Sequence, residues 1–370
     1  MKVADRLKDV ELSLIRQINA LATPLSVNLG IGEPNLAPDG HFRELAERAA
    51  QVPWQYTPNA GTLSLRKRLC EGTLFDPKTE VCVTAGTQEA LFAVFTAYVE
   101  PGDEVLVPNP GFLSYATLAK IHGAEVVTYD LDPPDWRIDI QALRKRVTPK
   151  TKLIIVNSPS NPLGSVADAP TLDAVAALGP LVVSDEVYRE IWYDAPPPTM
   201  LGRGANVVTL NGLSKSHGMT GLRLGWMHAQ ADVMKPIITA HQYIATCASA
   251  FSQGLAELIF DDAEWNRTWL AAMRAQFAAQ REAALYAIRH ELEIELEPPA
   301  GAFYAFAAVP ACDSISFAKT LATDAAVLVI PGLAFGTRGQ GFIRISYAAP
   351  VEQITAGIER IGRWLRAAGI

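Results

Sequence analysis

The sequence predicts an α/β fold: a large domain with a seven-stranded, mostly parallel sheet sandwiched by helices, beside a smaller α+β layer. Three observations carry the prediction. Seven short β-branched runs recur between about residue 80 and residue 230: EVCVTAG, EVLVPNP, AEVVTYD, KLIIVNSP, LVVSDEV, NVVTLNG and LRLGWMH. They are apolar on both faces and most meet a Gly, Pro or Asn break, the pattern of strands covered by helices on each side. After residue 260 the texture shifts to an Ala/Arg/Glu-rich helical stretch followed by hairpin-type strands. The chain can bury that much structure: its 370 residues exceed twice the ~150 of a typical domain, with 49% hydrophobic and 19% charged.

In chain order, Leu7, Val10, Leu14, Ile18 and Leu21 recur at helical spacing, which predicts an amphipathic helix over residues 5–22. The seven strands follow, ending on polar positions: Gly86-Thr87, Asn109, Asn157, Asp185, Asn211 and then Lys215. In open α/β sheets the ligand crevice lies beyond the carboxyl ends of the strands, so these positions are candidates for one site. Pro236 to Ala256 runs without Asp, Glu, Lys or Arg, long enough by count to cross a bilayer. Its His241, Gln242, Ser249, Ser252 and Gln253 favour a helix buried between domains or subunits instead. A helix over Trp265 to His290 precedes the strand candidates IELEPPAGAFYAFAAV, AVLVIPGLAFG and GFIRISYA. No internal repeat or low-complexity segment is visible.

Charge and cysteine usage exclude several function classes. Lys plus Arg at 32 against Asp plus Glu at 39 gives a net charge of −7 with no run of one sign, so no nucleic-acid partner is expected. Cys70, Cys82, Cys247 and Cys312 match neither a zinc pattern nor a disulfide framework, and read as core thiols of a reducing, cytoplasmic compartment. MKVADRLKDVELSL is interrupted by charge every few residues and supplies no signal-peptide core, and no membrane partner is expected.

The stretch LNGLSKSHGMTGLRLGW, residues 210–226, is the most informative. A solvated loop lysine is the common reading of Lys215, yet Arg223 follows eight residues on among Ser214, Ser216, Gly218 and Gly221. A cation pair with small donors around it suits an anionic ligand, most simply a phosphate. In TAGTQEALFAVF a strand breaks at Gly86-Thr87 and a helix begins, and a helix N-terminus binds phosphate readily. Asp185 closes the run LVVSD, one serine past its apolar residues, either as a helix N-cap or as a buried carboxylate that needs a cation. Asn157 and Asn161, in NSPSNPLG, are turn formers facing the same edge. There is no Ser/His/Asp order, no metal cluster and no G-x-G-x-x-G after a strand. A phosphate cup, a lysine amine and a carboxylate for a ring nitrogen are what pyridoxal 5′-phosphate requires.

At these residues the sequence resembles the class I/II, fold-type I pyridoxal-phosphate aminotransferases of the aspartate/aromatic superfamily. The collinear landmarks are NLGIGEP, YTPNAGTLSLRKRL, TAGTQEAL, PNPGFLSY, NSPSNPLG, SDEVY, GLSKSHGMTGLRLGW, PAGAFYAF and GFIRISYA. The resemblance implies transfer of an amino group from an L-amino acid to a 2-oxo acid by a ping-pong route, with Lys215 as the Schiff-base lysine and proton shuttle. It implies that Asp185 pairs with the pyridinium nitrogen, and that Asn161 and Tyr188 bond the phenolate oxygen. Gly86, Thr87, Ser214 and Arg223 would hold the phosphate, Phe112 would lie on the ring face, and Tyr56 would reach the phosphate of a neighbouring subunit in a homodimer. Arg344 would clamp the substrate α-carboxylate and Gly32 would let the backbone approach it.

The implied division is a large domain over 36–269 and a small domain from 1–35 with 270–370. Two departures stand out. Gly212 occupies a position where the family often has a phosphate-binding serine. Thr87 stands where one aspartate-specific branch has lysine. Arg16 serves a distal carboxylate only if the opening helix closes over the site. A Cβ–S lyase or an aminocyclopropane-carboxylate-synthase-like enzyme would keep Lys215, Asp185 and Arg344, although Tyr188 tilts toward transamination. An aminotransferase-like sensor would need a DNA-binding module, and only 27 residues precede Asn28. Aromatic, branched-chain, methionine, glutamine and dicarboxylic donors all stay open.

Overall fold

The computed structural model describes residues 3–369 except Asp9, Val52, Ala311 and Cys312. A short strand β1 (Val27–Asn28) precedes the main sheet, built from β2 (Val81–Thr84), β3 (Glu104–Asn109), β4 (Glu125–Asp132), β5 (Arg137–Ile138), β6 (Thr151–Asn157), β7 (Leu181–Asp185), β8 (Val207–Gly212) and β9 (Gly225–His228). Their order is β2-β9-β8-β7-β6-β3-β4-β5. The four central pairings, joining β8, β7, β6, β3 and β4, are all parallel, while β9 runs antiparallel to both neighbours and β5 to β4. The seven expected strands are all present. The added β5 is two residues long, too short to show a pattern in sequence.

The apolar runs behave as strands buried on both faces. Along β6, Leu153 and Ile155 pack into one core with Leu91, Val94 and Phe95 of the helix Thr87–Tyr98, whereas Ile154 and Val156 pack into the core on the other side. That second core runs on into the C-terminal layer. There β10 (Tyr304–Ala308), β11 (Val327–Leu328), β12 (Ile330–Pro331) and β13 (Phe342–Ser346) include an antiparallel sheet ordered β10-β13-β12. The chain's beginning joins this layer, since Val27 pairs with Val327 and Asn28 with Leu328.

Two helix expectations are corrected. The opening helix is not continuous over 5–22: a short 3-10 turn covers Asp5–Leu7 and the α-helix spans Leu14–Asn19, started by Ser13, whose hydroxyl accepts the Arg16 N–H. Of its apolar positions Ile18 is fully buried, whereas Leu7 and Leu21 are exposed. The uncharged stretch 236–256 is two helices, Ala231–Ile244 and Ala250–Asp261, separated by Thr246 at φ 64° and restarted by the Ser249 cap. Its polar residues supply the reason, for His241 and Gln253 are buried with hydrogen-bonded partners on both sides of the break. No described helix is long and apolar enough to cross a membrane. Cys70 and Cys82 are buried and free as expected, Cys247 is partly exposed, and Cys312 lies outside the described residues.

Candidate active site

A cavity of about 280 Å³ opens beyond the carboxyl ends of the central strands. Its walls include Gly32, Thr87, Phe112, Asn161, Asp185, Tyr188, Ser214, Lys215, Arg223 and Arg344, which the sequence pattern and the family resemblance together had singled out from segments up to 312 residues apart.

Lys215 sits in the single helical turn Leu213–Ser216 between β8 and β9. This turn is pinned from behind. Trp269 Nε1 donates to the Ser216 carbonyl at 3.0 Å, and the His217 ring bridges Ser216 Oγ and Asn266 Oδ1 at 2.9 and 3.0 Å. The Lys215 ammonium donates to the Gly32 carbonyl at 2.6 Å. Burial, reinforced by the nearby Arg344 charge, pushes the Lys215 pKa down to about 8.

Asp185 ends β7 and is 4% exposed. Its carboxylate accepts the Tyr115 hydroxyl at 2.8 Å and the Val187 N–H at 3.3 Å. Burial nevertheless pushes its pKa up, because those two neutral donors offset only part of the lost hydration. Among the described residues no cation lies within ion-pair distance of it. The strand end is squared off by Asn157, whose Nδ2 donates to the Asp185 carbonyl at 2.9 Å and whose Oδ1 accepts the Asn161 N–H at 2.8 Å.

At the opposite wall, Gly86 caps the helix Thr87–Tyr98 without any side-chain cap, so the first-turn N–H groups stay available. Gly86 has φ 87°, and a Cβ built there would stand 2.6 Å from Arg223 Nη2, so only glycine lets the guanidinium lie across the helix end. Arg223 is itself held by the Thr220 carbonyl at 2.8 Å. Gly212 accounts for its own departure from the family pattern. A Cβ there would lie 2.8 Å from the Leu224 carbonyl oxygen, because β8 and β9 pair at Gly212 and Gly225. Beside this helix end, Thr87, Ser214 and Arg223 line the cavity wall.

Arg344, on β13, is 1% exposed. Its Nη1 donates to Asn161 Oδ1 at 2.8 Å and its Nη2 to the Gly30 carbonyl at 2.6 Å, while Nε has no partner. The guanidinium lies 4.3 Å from the Tyr304 ring centroid and 4.9 Å from that of Phe335. No carboxylate among the described residues pairs with it. A buried guanidinium lacking its counter-charge is costly unless a ligand carboxylate completes it.

Several expected positions lie elsewhere. Tyr56 is 87% exposed and away from the cavity of its own chain. Arg16 points to solvent, and it is Ile15 from the same helix that lines the cavity. Asn109 instead ties β3 to the C-terminal layer, donating to Asp130 Oδ1 at 2.9 Å and Thr337 Oγ1 at 3.0 Å. Asn211 binds its own neighbour, accepting the Gly212 N–H. Tyr115 and Tyr304 went unnoticed in the sequence. Both stood inside quoted motifs, PNPGFLSY and PAGAFYAF, but an aromatic among apolar residues reads as core.

A family model described as aminotransferase class I and II matches residues 26–361. The chain belongs to the class I and II aminotransferases. This aminotransferase is 35% identical to a probable aspartate aminotransferase of Methanocaldococcus jannaschii, covering 95% of this chain and 96% of the relative. It is 33% identical to aromatic-amino-acid aminotransferase 2 of Thermococcus litoralis over 99% of each chain. Among solved structures, the aspartate aminotransferase of Thermus thermophilus with maleate superposes at a TM-score of 0.92, with 31% identity, 98% of this chain and 99% of that one covered. The family is pyridoxal-phosphate-dependent, and the aminotransferase's cavity fits that group. A buried unpaired carboxylate faces an amine of lowered basicity, and an uncapped helix end with a guanidinium across it supplies an anion cup.

Proposed function

We propose that Lys215 carries the cofactor and moves the proton during transamination of an L-amino acid by a ping-pong route, with Asp185 and Arg344 as its two electrostatic supports. The observation that carries this reading is one cavity holding three complementary groups: an amine with its pKa pushed down to about 8, a buried carboxylate without a cation, and a buried guanidinium without an anion. Pyridoxal 5′-phosphate supplies the electron sink when bound. Lys215 Nζ, freed as an amine of lowered basicity, would serve as the base that takes the proton from the substrate Cα. Asp185 holds the ring nitrogen protonated. Asn161 spends its Oδ1 on Arg344, which leaves Nδ2 to donate to the phenolate oxygen beside Tyr188. Thr87, Ser214, Arg223 and the Gly86 helix end hold the phosphate, and Phe112 walls the ring. Arg344 grips the α-carboxylate with its fork, beside the Gly32 backbone.

Lys215, Arg223 and Arg344 are the cationic residues on the cavity wall, and each has a role in this scheme. None is left for a distal carboxylate within one chain, and Ile15 and Leu91 give the cavity apolar surface. Donors with uncharged side chains therefore fit better than aspartate. The small domain of 1–35 with 270–370 against a large domain of 36–269 is supported by the β1 pairing with β11. A cytoplasmic homodimer, with Tyr56 of each copy completing the other's phosphate site, accounts for that residue's exposure.

The test is an absorbance assay of the purified holoenzyme against a panel of L-amino acids, each followed by 2-oxo acids. Conversion of the cofactor to its amino form by aromatic or aliphatic donors, faster than by aspartate, is expected. Release of pyruvate and ammonia from cysteine or cystathionine with no amino form would replace this reading with a lyase.

A further inference from the structure

Tyr188 and Tyr304 face one another with hydroxyl oxygens 2.8 Å apart, both buried, one following β7 and one opening β10. Each hydroxyl carries one proton and can also accept one. Within such a pair one proton lies between the oxygens and the other is free for a third group. Burial holds both tyrosines protonated well above neutral pH, so the pair keeps both protons over the working range. The charged and titratable groups facing the pair are Arg344 on β13, Asp185 on β7, Lys215 with its Nζ 5.9 Å from the Tyr188 ring centroid, Tyr115 and Tyr347.

If Tyr188 gives its proton to the cofactor's phenolate oxygen, the proton between the two oxygens belongs to Tyr304. On its other side the Tyr304 hydroxyl lies against Gly32, in space that any side chain there would need. Its ring meanwhile lies under the Arg344 guanidinium at 4.3 Å. Register explains the double contact: Tyr304 pairs with Ser346 across β10 and β13, two residues from Arg344 on the same sheet face.

We propose that Tyr304 is a positioning residue with two separable roles: its hydroxyl donates to Tyr188 and aims the Tyr188 proton into the cavity, and its ring seats the carboxylate-binding fork of Arg344. The first role rests on the Tyr188 assignment made above; the second does not. A hydrogen bond to the cofactor's anionic oxygen favours the deprotonated cofactor, so weakening it raises the pH midpoint of the bound-cofactor absorbance change. Chained hydrogen bonds strengthen one another by roughly 10–30%, so the Tyr304 contribution is a fraction of the Tyr188 one.

The experiment is a pH titration of holoenzyme absorbance in wild type, Tyr188→Phe, Tyr304→Phe and the double variant, with steady-state kinetics on Tyr304→Phe and Tyr304→Leu. Tyr188→Phe should raise the midpoint most. Tyr304→Phe should raise it by roughly 0.2–0.5 of a pH unit, and the double variant should go no further than Tyr188→Phe. KM for the amino donor should hold in Tyr304→Phe, which keeps the ring, and rise roughly 3- to 10-fold in Tyr304→Leu with a smaller change in kcat. Gly32→Ala, which displaces the same hydroxyl with Tyr304 intact, gives the midpoint shift a second route should Tyr304→Phe fold poorly. A shift in Tyr188→Phe with none in Tyr304→Phe or Gly32→Ala overturns the hydroxyl role while sparing the Tyr188 assignment. No shift in Tyr188→Phe overturns both, and an unchanged KM in Tyr304→Leu overturns the ring role.

Discussion

Lys215 must be uncharged to react with an aldehyde or to take a proton, and its surroundings decide how often it is. At its ordinary pKa an amine is about a thousandth neutral near pH 7.4, whereas at about 8 it is roughly a fifth neutral. The sign follows directly: covalent uptake of cofactor by the apoprotein should rise about tenfold per pH unit below 8 and flatten above it. Stopped-flow absorbance across pH 6–10.5 checks this, and a rise continuing to pH 10 would mean the lysine is not depressed. Asp185 has the opposite problem, a buried charge waiting for a cation. Asp185→Asn keeps the shape and an acceptor for Tyr115 but cannot hold a ring proton, so turnover should fall roughly 100-fold or more while cofactor still binds. Near-wild-type rates would remove Asp185 from its role. At Arg344 the fork matters more than the charge: Arg344→Lys should raise KM for amino donors roughly 10- to 100-fold, because an ammonium cannot reach Asn161, the Gly30 carbonyl and a carboxylate together.

Among the elements, the helix Thr87–Tyr98 shows how the fold is made to serve the site. Its positive end is left uncapped at Gly86, and Glu89 in its first turn accepts from the Ala85 N–H at 3.2 Å and from buried His241 at 2.9 Å. The helix end is therefore held by its neighbours in the sheet layer and left open only toward the cavity. Gly86→Ala forces a side chain into left-handed backbone and into Arg223, so the protein should lose about 1–3 kcal/mol of stability and bind cofactor at least about tenfold more weakly. Equilibrium dialysis of the phosphate cofactor measures it, and wild-type affinity would refute the cup. The same scale separates what was legible in sequence from what was not. The seven strands were legible because burial on both faces leaves an unbroken β-branched signature, and Lys215, Asp185 and Asn161 because polar residues at the ends of such runs stand out. Tyr304 and Tyr115 did not stand out, since a buried tyrosine differs from core phenylalanine only by the partner of its hydroxyl, which lies 116 residues away for Tyr304 and 70 for Tyr115. The break at residues 245–249 was hidden for a related reason: Thr246 adopts a positive φ with no glycine or proline to announce it. Gly212 reads as a departure from family pattern until the β8–β9 pairing shows that a side chain has nowhere to go.

On the whole molecule, large aromatic surface stands open to solvent. Trp54 and Tyr56 are 83% and 87% exposed, beside a groove that also takes in Cys247 and Phe251. The segment carrying them is not loose, because Asn59 bonds the Ile238 carbonyl and Gln242, and His241 bonds the Asn59 carbonyl. Large aromatics exposed to water on one patch are typical of an interface core, where they contribute most of the binding energy. On the proposed reading a second copy covers this surface and receives Tyr56 at its phosphate cup. Two substitutions then separate assembly from cofactor binding. Trp54→Glu buries a charge in the interface and should shift the chain toward monomer in sedimentation velocity, with cofactor lost as the protein is diluted. Tyr56→Phe removes one hydroxyl and should leave the sedimentation unchanged while weakening cofactor binding roughly 3- to 10-fold, the cost of one hydrogen bond to a charged group at a part-exposed site. A monomeric wild type with full cofactor affinity would overturn the shared site outright. A dimer whose Tyr56→Phe variant binds cofactor as wild type does would keep the assembly but take Tyr56 out of the cup, leaving the phosphate to Thr87, Ser214, Arg223 and the helix end of a single chain.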